Sequence, residues 1–470
     1  MKSRPGWTRG LSVGVLIVLG FAPMFVRSDP DSMASEAPVA PAAALQPSLV
    51  NGFTFAAAGD HAAGSRTNAS LAALNQSGAS FYLALGDMDY DATPSDAAWC
   101  DHVLQRLPTL GPTFPFQLVS GNHEQQGGSD GYIMNHAACL PDRLYSTGTY
   151  AAQYYFDYPP QSPLIRVIMI APDLLVENLD YVYAAGDPQY NWLASSIDGA
   201  RIAGIPWVAV GMHKVCITAG AKACEIGTAL MNLLVSKRVD LVLQGHDHNY
   251  QRSKQLMHGT GCAAVPAGSF DPDCVKDDGA DAQYAKGSGS VFVISGVFGQ
   301  CCYSVNAGDS EAPYFARSSS ASSGFTKFTV GPARIDAQFL PSTGSFTDAF
   351  SIIDGDTDGD GFADSVESYA GTAPADNCGP PATLGPPSPA WTADLSTAGG
   401  SVNKIDLQDL GTYVAPVSRL NVTAGSPDYS PRWDLNADGV LNVGDMAEIS
   451  ILHPLMFNGQ RAYGGPACVP

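Results

Sequence analysis

Basic side chains are scarce in this chain. Its 24 Lys and Arg face 45 Asp and Glu, a formal charge of −21. Such an excess repels a phosphate backbone, so nonspecific nucleic-acid binding is excluded. Charged residues of both signs amount to only 15%, while 45% of the 470 residues are hydrophobic, which excludes a chain disordered throughout. No C-x-x-C pair occurs among the ten cysteines, which argues against a zinc ribbon. Long hydrophobic runs are also lacking. After the first 26 residues, no segment is long and apolar enough to span a bilayer.

The one long apolar run, Leu11–Val26, follows Lys2, Arg4 and Arg9 and precedes small residues. At 16 residues it is short for a spanning helix of about 20. Residues 1–28 read as a cleaved signal peptide, so the mature chain is expected to be secreted or extracellular and to lack a transmembrane helix. Export permits disulfides. Cys216 with Cys224, Cys262 with Cys274, and Cys100 with Cys139 are candidate pairs, whereas the adjacent Cys301 and Cys302 are not expected to pair with each other.

Residues 29–50, rich in Ala, Pro and Ser, read as a flexible leader. From Phe53 a pattern recurs: a short apolar run, then Gly and a polar cluster. The runs are FTFAAAG, FYLALG, FQLVSG, IRVIMIA, WVAVG, VDLVLQG and VFVISG. They read as buried strands, with Ser70–Gln76 and Thr228–Lys237 helical between some of them. Such alternation predicts a layered α/β sandwich over residues 51–349. In such folds the residues just past the strand C-terminal ends gather at one edge. Residues 378–392 form a Pro-rich linker, stiff and extended.

Five strand ends carry potential ligands. They are Gly59-Asp60, Gly86-Asp87-Met88-Asp89-Tyr90, Gly121-Asn122-His123-Glu124, Gly211-Met212-His213 and Gly245-His246-Asp247-His248. Carboxylate, amide oxygen and imidazole suit Fe, Mn and Zn. Each Gly allows the sharp turn that aims the next donor.

In this ordered motif set the chain resembles the calcineurin-like metallophosphoesterases, and among them the purple acid phosphatases. The resemblance covers roughly residues 53–300. It implies a four-layer α/β/β/α sandwich and a centre of two metal ions, Fe(III) plus Fe, Zn or Mn. Asp87 would bridge them. Asp60, Tyr90 and His248 would complete one ligand set, and Asn122, His213 and His246 the other. Ala62 stands where non-purple members carry a ligating His, and Tyr90 stands three residues after the bridging Asp, as in purple members. A phenolate there favours Fe(III) and colours the protein. His123 is not a ligand in this pattern and would orient phosphate or protonate the leaving group. The activity implied is hydrolysis of phosphate monoesters by hydroxide generated at the metal pair. Phosphodiester or nucleotide pyrophosphate hydrolysis uses the same core. An inactive calcium-dependent surface or adhesion protein is the alternative of another class. His61 and Lys214 neighbour the motifs; the first could touch substrate, and the second reads as a solvated lysine or a phosphate contact.

Two acidic loops follow. In residues 350–377, Asp356, Asp358, Asp360, Asp364 and Glu367 occupy positions 1, 3, 5, 9 and 12 of an EF-hand loop, with Gly361 at 6. In residues 393–470, Asp434, Asn436, Asp438, Asn442 and Asp445 repeat that spacing, with Gly439 at 6. This second loop resembles a dockerin repeat, expected to form a small helical unit. Its partner, Asp394 to Asp406, is degenerate. Both loops are expected to bind Ca²⁺. The dockerin resemblance implies a possible cohesin-like anchoring partner, beside the phosphate ester substrate of the core.

Overall fold

The computed structural model describes residues 52–355 and short pieces between 395 and 446. The expected signal peptide and leader lie outside the described residues. So do Asp356, Asp358, Asp360, Asp364, Glu367, Asn436 and Asp438, and the whole of the Pro-rich linker.

Each of the seven apolar runs is a strand: Phe53–Ala58, Phe81–Leu85, Phe116–Val119, Ile165–Ile170, Trp207–Met212, Leu241–Gln244 and Val291–Ser295. They pair in parallel in two groups, the first three together and the last four together. Parallel strands covered on both faces need apolar side chains on both, which is why they read as runs. The first group centres a seven-stranded sheet, ordered Gln283–Ala285, Asp348–Ile353, Arg334–Thr343, Ser323–Val330, Phe53–Ala58, Phe81–Leu85, Phe116–Val119. The second centres an eight-stranded sheet, ordered Phe315–Ser319, Tyr250–Ser253, Val291–Ser295, Leu241–Gln244, Trp207–Met212, Ile165–Ile170, Gln153–Tyr158, Thr147–Thr149.

The sheets pack face to face. Phe55, Phe81 and Leu83 of one share a core with Val167, Trp207 and Leu243 of the other. The Phe55 ring stacks on Phe81 and Phe328 at 5.0 and 4.7 Å between centroids. Each such buried side chain contributes about 1.5–3 kcal/mol. Successive residues of a strand point to opposite faces, so Ala56, Tyr82 and Val208 face outward into the helical layers. Helix Ser65–Asn75 packs on Ser323–Val330 and Arg334–Thr343, and helix Pro188–Ile202 on Ile165–Ile170 and Trp207–Met212. The architecture is the four-layer α/β/β/α sandwich. Helix Asp96–Leu104 is capped by Ser95, whose hydroxyl accepts from Ala98 N. Helix Pro188–Ile202 begins with Pro at its first turn, where no donor is needed.

The sandwich runs to Ile353, beyond the boundary at 349 that composition suggested. Phe350 and Ile352 complete the inter-sheet core, and Arg252 of one sheet binds Asp348 of the other through Nε to Oδ2 at 2.8 Å and Nη2 to Oδ1 at 3.2 Å. Among the described residues four disulfides form: Cys100–Cys139, Cys216–Cys224, Cys262–Cys274 and Cys301–Cys302. The last corrects the expectation that neighbouring cysteines stay unpaired: these two are bonded to each other. Cys378 and Cys468 lie outside the described residues.

Near the C-terminus, Val422–Thr423 pairs antiparallel with Val440–Leu441. The Asp445 carboxylate accepts from Leu435 N at 3.0 Å and Asn442 N at 2.7 Å, and Asp434 meets the Tyr429 hydroxyl.

Candidate metal centre

All seven proposed ligands stand just past the C-terminal ends of the central parallel strands, on both sheets, and the structure brings them to one place. Four of them, Asp60, Asp87, Tyr90 and His246, hold positive φ between 53° and 67°. A non-glycine residue in this left-handed region costs about 1–3 kcal/mol, and such strain gathers at functional sites. Ala62, where glycine would be unstrained, holds φ 55°. The adjoining glycines make room. A Cβ on Gly86 would lie 2.6 Å from the His213 ring, and one on Gly121 would lie 2.1 Å from Asp87 Oδ1. The loops also brace each other, with His246 N donating to Asp60 Oδ2 at 2.8 Å and His123 N to Asp87 Oδ1 at 3.1 Å.

Two groups of donors meet on Asp87. On one side the Tyr90 hydroxyl lies 2.7 Å from Asp60 Oδ1, 2.9 Å from Asp87 Oδ2 and 3.0 Å from His248 Nε2. On the other, His213 Nε2 lies 3.1 Å from Asn122 Oδ1 and 3.2 Å from Asp87 Oδ2. Donor atoms of Asp87, His213 and His246 fall within 4.8 Å of one another, a spacing that can hold an ion. Asp60, Asp87 and His213 are 1% exposed or less.

This donor set fits cations. A phenol has one proton and cannot satisfy three acceptors at once, so lone pairs of Asp60, Asp87 and His248 crowd one oxygen. Two buried carboxylates, Asp60 and Asp87, stand together, and among the described residues no Lys or Arg forms an ion pair with either. A cation among these atoms removes both conflicts. The charges of the cluster perturb one another. Burial would raise the Asp60 carboxyl, but His248 beside it holds it far below the usual range. Burial and the charges of Asp60 and Asp87 push the Tyr90 phenol well up. Burial opposes protonation of His213, yet Asp87 carries it up to about 9.

His123 stands apart from the ligand groups. Its ring lies 4.2 Å from that of Tyr90, its Nδ1 bonds Asp130, and its Nε2 is 3.7 Å from Asp87 Oδ2. Its side chain is 29% exposed, on the open side of the cluster with the half-buried Tyr90 and Asn122. His61 points away from the centre into the core. It bonds the Tyr82 hydroxyl at 2.9 Å, and burial lowers it to about 4. Lys214 is buried rather than solvated, with Nζ 2.6 Å from Asp173 Oδ2 and 3.4 Å from Glu225 Oε2.

Three supporting carboxylates were not singled out from sequence. Glu124 accepts from the backbone of Gly121, Asp87 and Met88, tying two loops together. Burial and the Asp87 charge raise it to about 8. Glu225 bonds His246 Nε2 at 2.9 Å, and that bond brings its carboxyl down to about 2. Asp130 holds His123. Glu124 sits inside a motif and could have been suspected; Asp130 and Glu225 lie in loops whose approach only the fold creates. Tyr303 was also missed. It follows the Cys301–Cys302 bond, its ring stacks on His248 at 4.1 Å, and its N donates to His248 O at 2.9 Å.

Comparison with known proteins agrees with this geometry. Residues 53–250 match the family model for calcineurin-like phosphoesterases. Purple acid phosphatase 21 of Arabidopsis thaliana is 26% identical over 219 residues, which is 43% of this chain and 45% of that protein. Purple acid phosphatase 18 of the same plant is 25% identical over 215 residues, 44% and 46% of the two chains. The match thus spans under half the length of these relatives. The structure of purple acid phosphatase PPD1 from yellow lupin (Lupinus luteus) seeds aligns with a TM-score of 0.50 at 15% identity, over 65% of this chain and 54% of that one, a likeness of fold. Residues 53–250 therefore constitute a calcineurin-like phosphoesterase domain, with purple acid phosphatases among its homologues.

Proposed function

We propose that the protein is a secreted phosphatase that hydrolyses phosphate monoesters at a two-cation centre of the purple acid phosphatase kind. The observation that carries this reading is the meeting of Tyr90, Asp60, Asp87 and His248 around one phenol oxygen, 2.7–3.1 Å apart. Asp60, Tyr90 and His248 would hold Fe(III), Asn122, His213 and His246 the second ion (Fe, Zn or Mn), and Asp87 both. Cations bound there supply charge for the phosphoryl oxygens and acidify water near neutral pH.

The chain's own residues do the rest. The left-handed turns aim the ligands before substrate arrives, so little reorganisation accompanies the reaction. Asp130 accepts from His123 Nδ1 and fixes the orientation of the ring. The proton on Nε2 then passes to the departing alkoxide oxygen. Buried strands and the inter-sheet core behind the ligands keep bulk water out of that side.

Export is supported by four disulfides, which persist in oxidising compartments. Among the described residues, no helix is long and apolar enough to cross a membrane. Calcium at the C-terminal loops belongs to the same proposal. Asp434 and Asp445 stand at the first and last positions of one such loop.

Nitrophenyl phosphate and bis-nitrophenyl phosphate, assayed side by side, test the reading. Faster turnover of the monoester is expected. Preference for the diester would reassign the substrate class, and turnover of neither would remove the enzymatic reading.

A further inference from the structure

We propose that Glu225, held at the end of the loop closed by the Cys216–Cys224 disulfide, is a positioning residue for His246 and sets cation affinity on the Asn122, His213 and His246 side of the centre alone. The proposal rests on the two-cation reading above.

Glu225 Oε1 lies 2.9 Å from His246 Nε2. With Nε2 engaged, the nitrogen that His246 can present to a cation is Nδ1. A carboxylate on the far nitrogen of a ligating histidine fixes its tautomer and ring orientation and raises its basicity. Glu225 is itself fixed from three directions. Its N donates to Val215 O at 3.0 Å, and its Oε2 lies 3.4 Å from Lys214 Nζ. That ammonium is anchored on Asp173, at 2.6 Å from Oδ2 and 3.0 Å from the carbonyl oxygen. The Cys216–Cys224 bond closes the intervening loop, its two cysteines eight positions apart in sequence.

One short segment therefore begins with His213, a ligand candidate, and ends with Glu225, the support of a second candidate on the same side. The loop's other contacts include Asp247, between the two histidines, where Thr218 Oγ1 donates to Oδ2 at 2.6 Å, and Tyr303, over which Lys222 lies at 5.7 Å; its carboxylate bond is to His246. His248 meets Asp60 and Tyr90 through Nε2 and stacks on Tyr303. Opening the disulfide removes the covalent restraint next to Glu225, although Thr218 and Ala219 stay bonded to Asp247 and Gln251, and so loosens the bearing of His246. Oxidation of this one cysteine pair is thereby coupled to loading of one of the two cation positions.

The test is calorimetric titration of Zn²⁺ into the chelator-stripped full-length protein, with millimolar Ca²⁺ present throughout to occupy the acidic C-terminal loops. The unsubstituted protein is expected to take up two equivalents. Glu225→Ala should weaken one of them roughly 10–100-fold and leave the other unchanged. Glu225→Gln keeps an acceptor oxygen and the shape of the side chain, and should recover part of the loss. Cys216→Ser combined with Cys224→Ser should weaken the same equivalent. Circular dichroism of the zinc-free variants reports whether the fold survives. Should Glu225→Ala unfold, the near-isosteric Glu225→Gln and Lys214→Met carry the comparison. Equal weakening of both equivalents, or no weakening in a folded variant, overturns the proposal. Fewer than two equivalents in the unsubstituted protein overturns the two-cation reading itself, whatever the variants do.

Discussion

The phenol oxygen of Tyr90 lies 3.0 Å from Nε2 of His248, although 158 residues separate them in the chain. The two arrive from different sheets, and the contact exists because both strands end at the same edge. If Fe(III) lies between them, phenolate-to-iron charge transfer colours the aerobically purified protein violet or pink. Tyr90→Phe should abolish that visible band while the ring still fills its place beside His123. A fully metallated, active protein without iron would refute the purple assignment and leave a two-metal hydrolase.

Asp87→Ala should remove both cations and activity together. Its carboxylate is shared by the two donor groups and is 1% exposed, with no neighbouring side chain able to replace it. Metal analysis after gel filtration, beside an assay, reads both losses. Retention of two tightly bound ions would contradict the bridging role.

His123→Ala should keep its metals and lose turnover by about 10²–10⁴, the usual range for a general acid. The loss should shrink with leaving groups that depart without a proton. Asp130→Asn removes the carboxylate that holds Nδ1 and should cost less than His123→Ala on poor leaving groups. A fall in metal content on His123→Ala would make it a ligand instead.

Asp348→Ala should destabilise the sandwich by about 3–5 kcal/mol, because it strands the buried Arg252 guanidinium between the sheets. Asp348 accepts from Arg252 Nε at 2.8 Å and from the Tyr250 hydroxyl at 2.9 Å. Denaturant unfolding measures the change. A shift under 1 kcal/mol would mean that water reaches Arg252 readily.

A chain ending at Gly355 retains the whole of strand Asp348–Ile353 and should keep hydrolytic activity. Ending it before Asp348 should not, because the inter-sheet ion pair goes with it. Calcium titration of the full chain and of the chain ending at Gly355, followed by circular dichroism, should show saturable binding only in the full chain. The absence of any response at millimolar calcium would leave the acidic loops as spacers.

The central strands and their order of ligands were readable in the chain itself. Parallel strands buried on both faces must be apolar throughout, and runs such as IRVIMIA have no other use in a sandwich. The turn after each must place a donor, so Gly followed by Asp, Asn or His stands out at five successive strand ends. The antiparallel strands did not stand out, for the opposite reason. In Arg334–Thr343 the buried Ile335, Ala337 and Phe339 alternate with polar or less buried positions, and the average is that of a loop. That pattern also hid the end of the sandwich at Ile353. Tertiary structure alone decided what surrounds the ligands. Glu225 reaches His246, Asp130 reaches His123, and Tyr303 covers His248 only after the loops close over the sheet edge. A lone carboxylate or tyrosine in a loop carries no local signal of the partner it will meet. Local chemistry thus marked the candidates for holding a cation, and long-range packing decided which side chains stand against them.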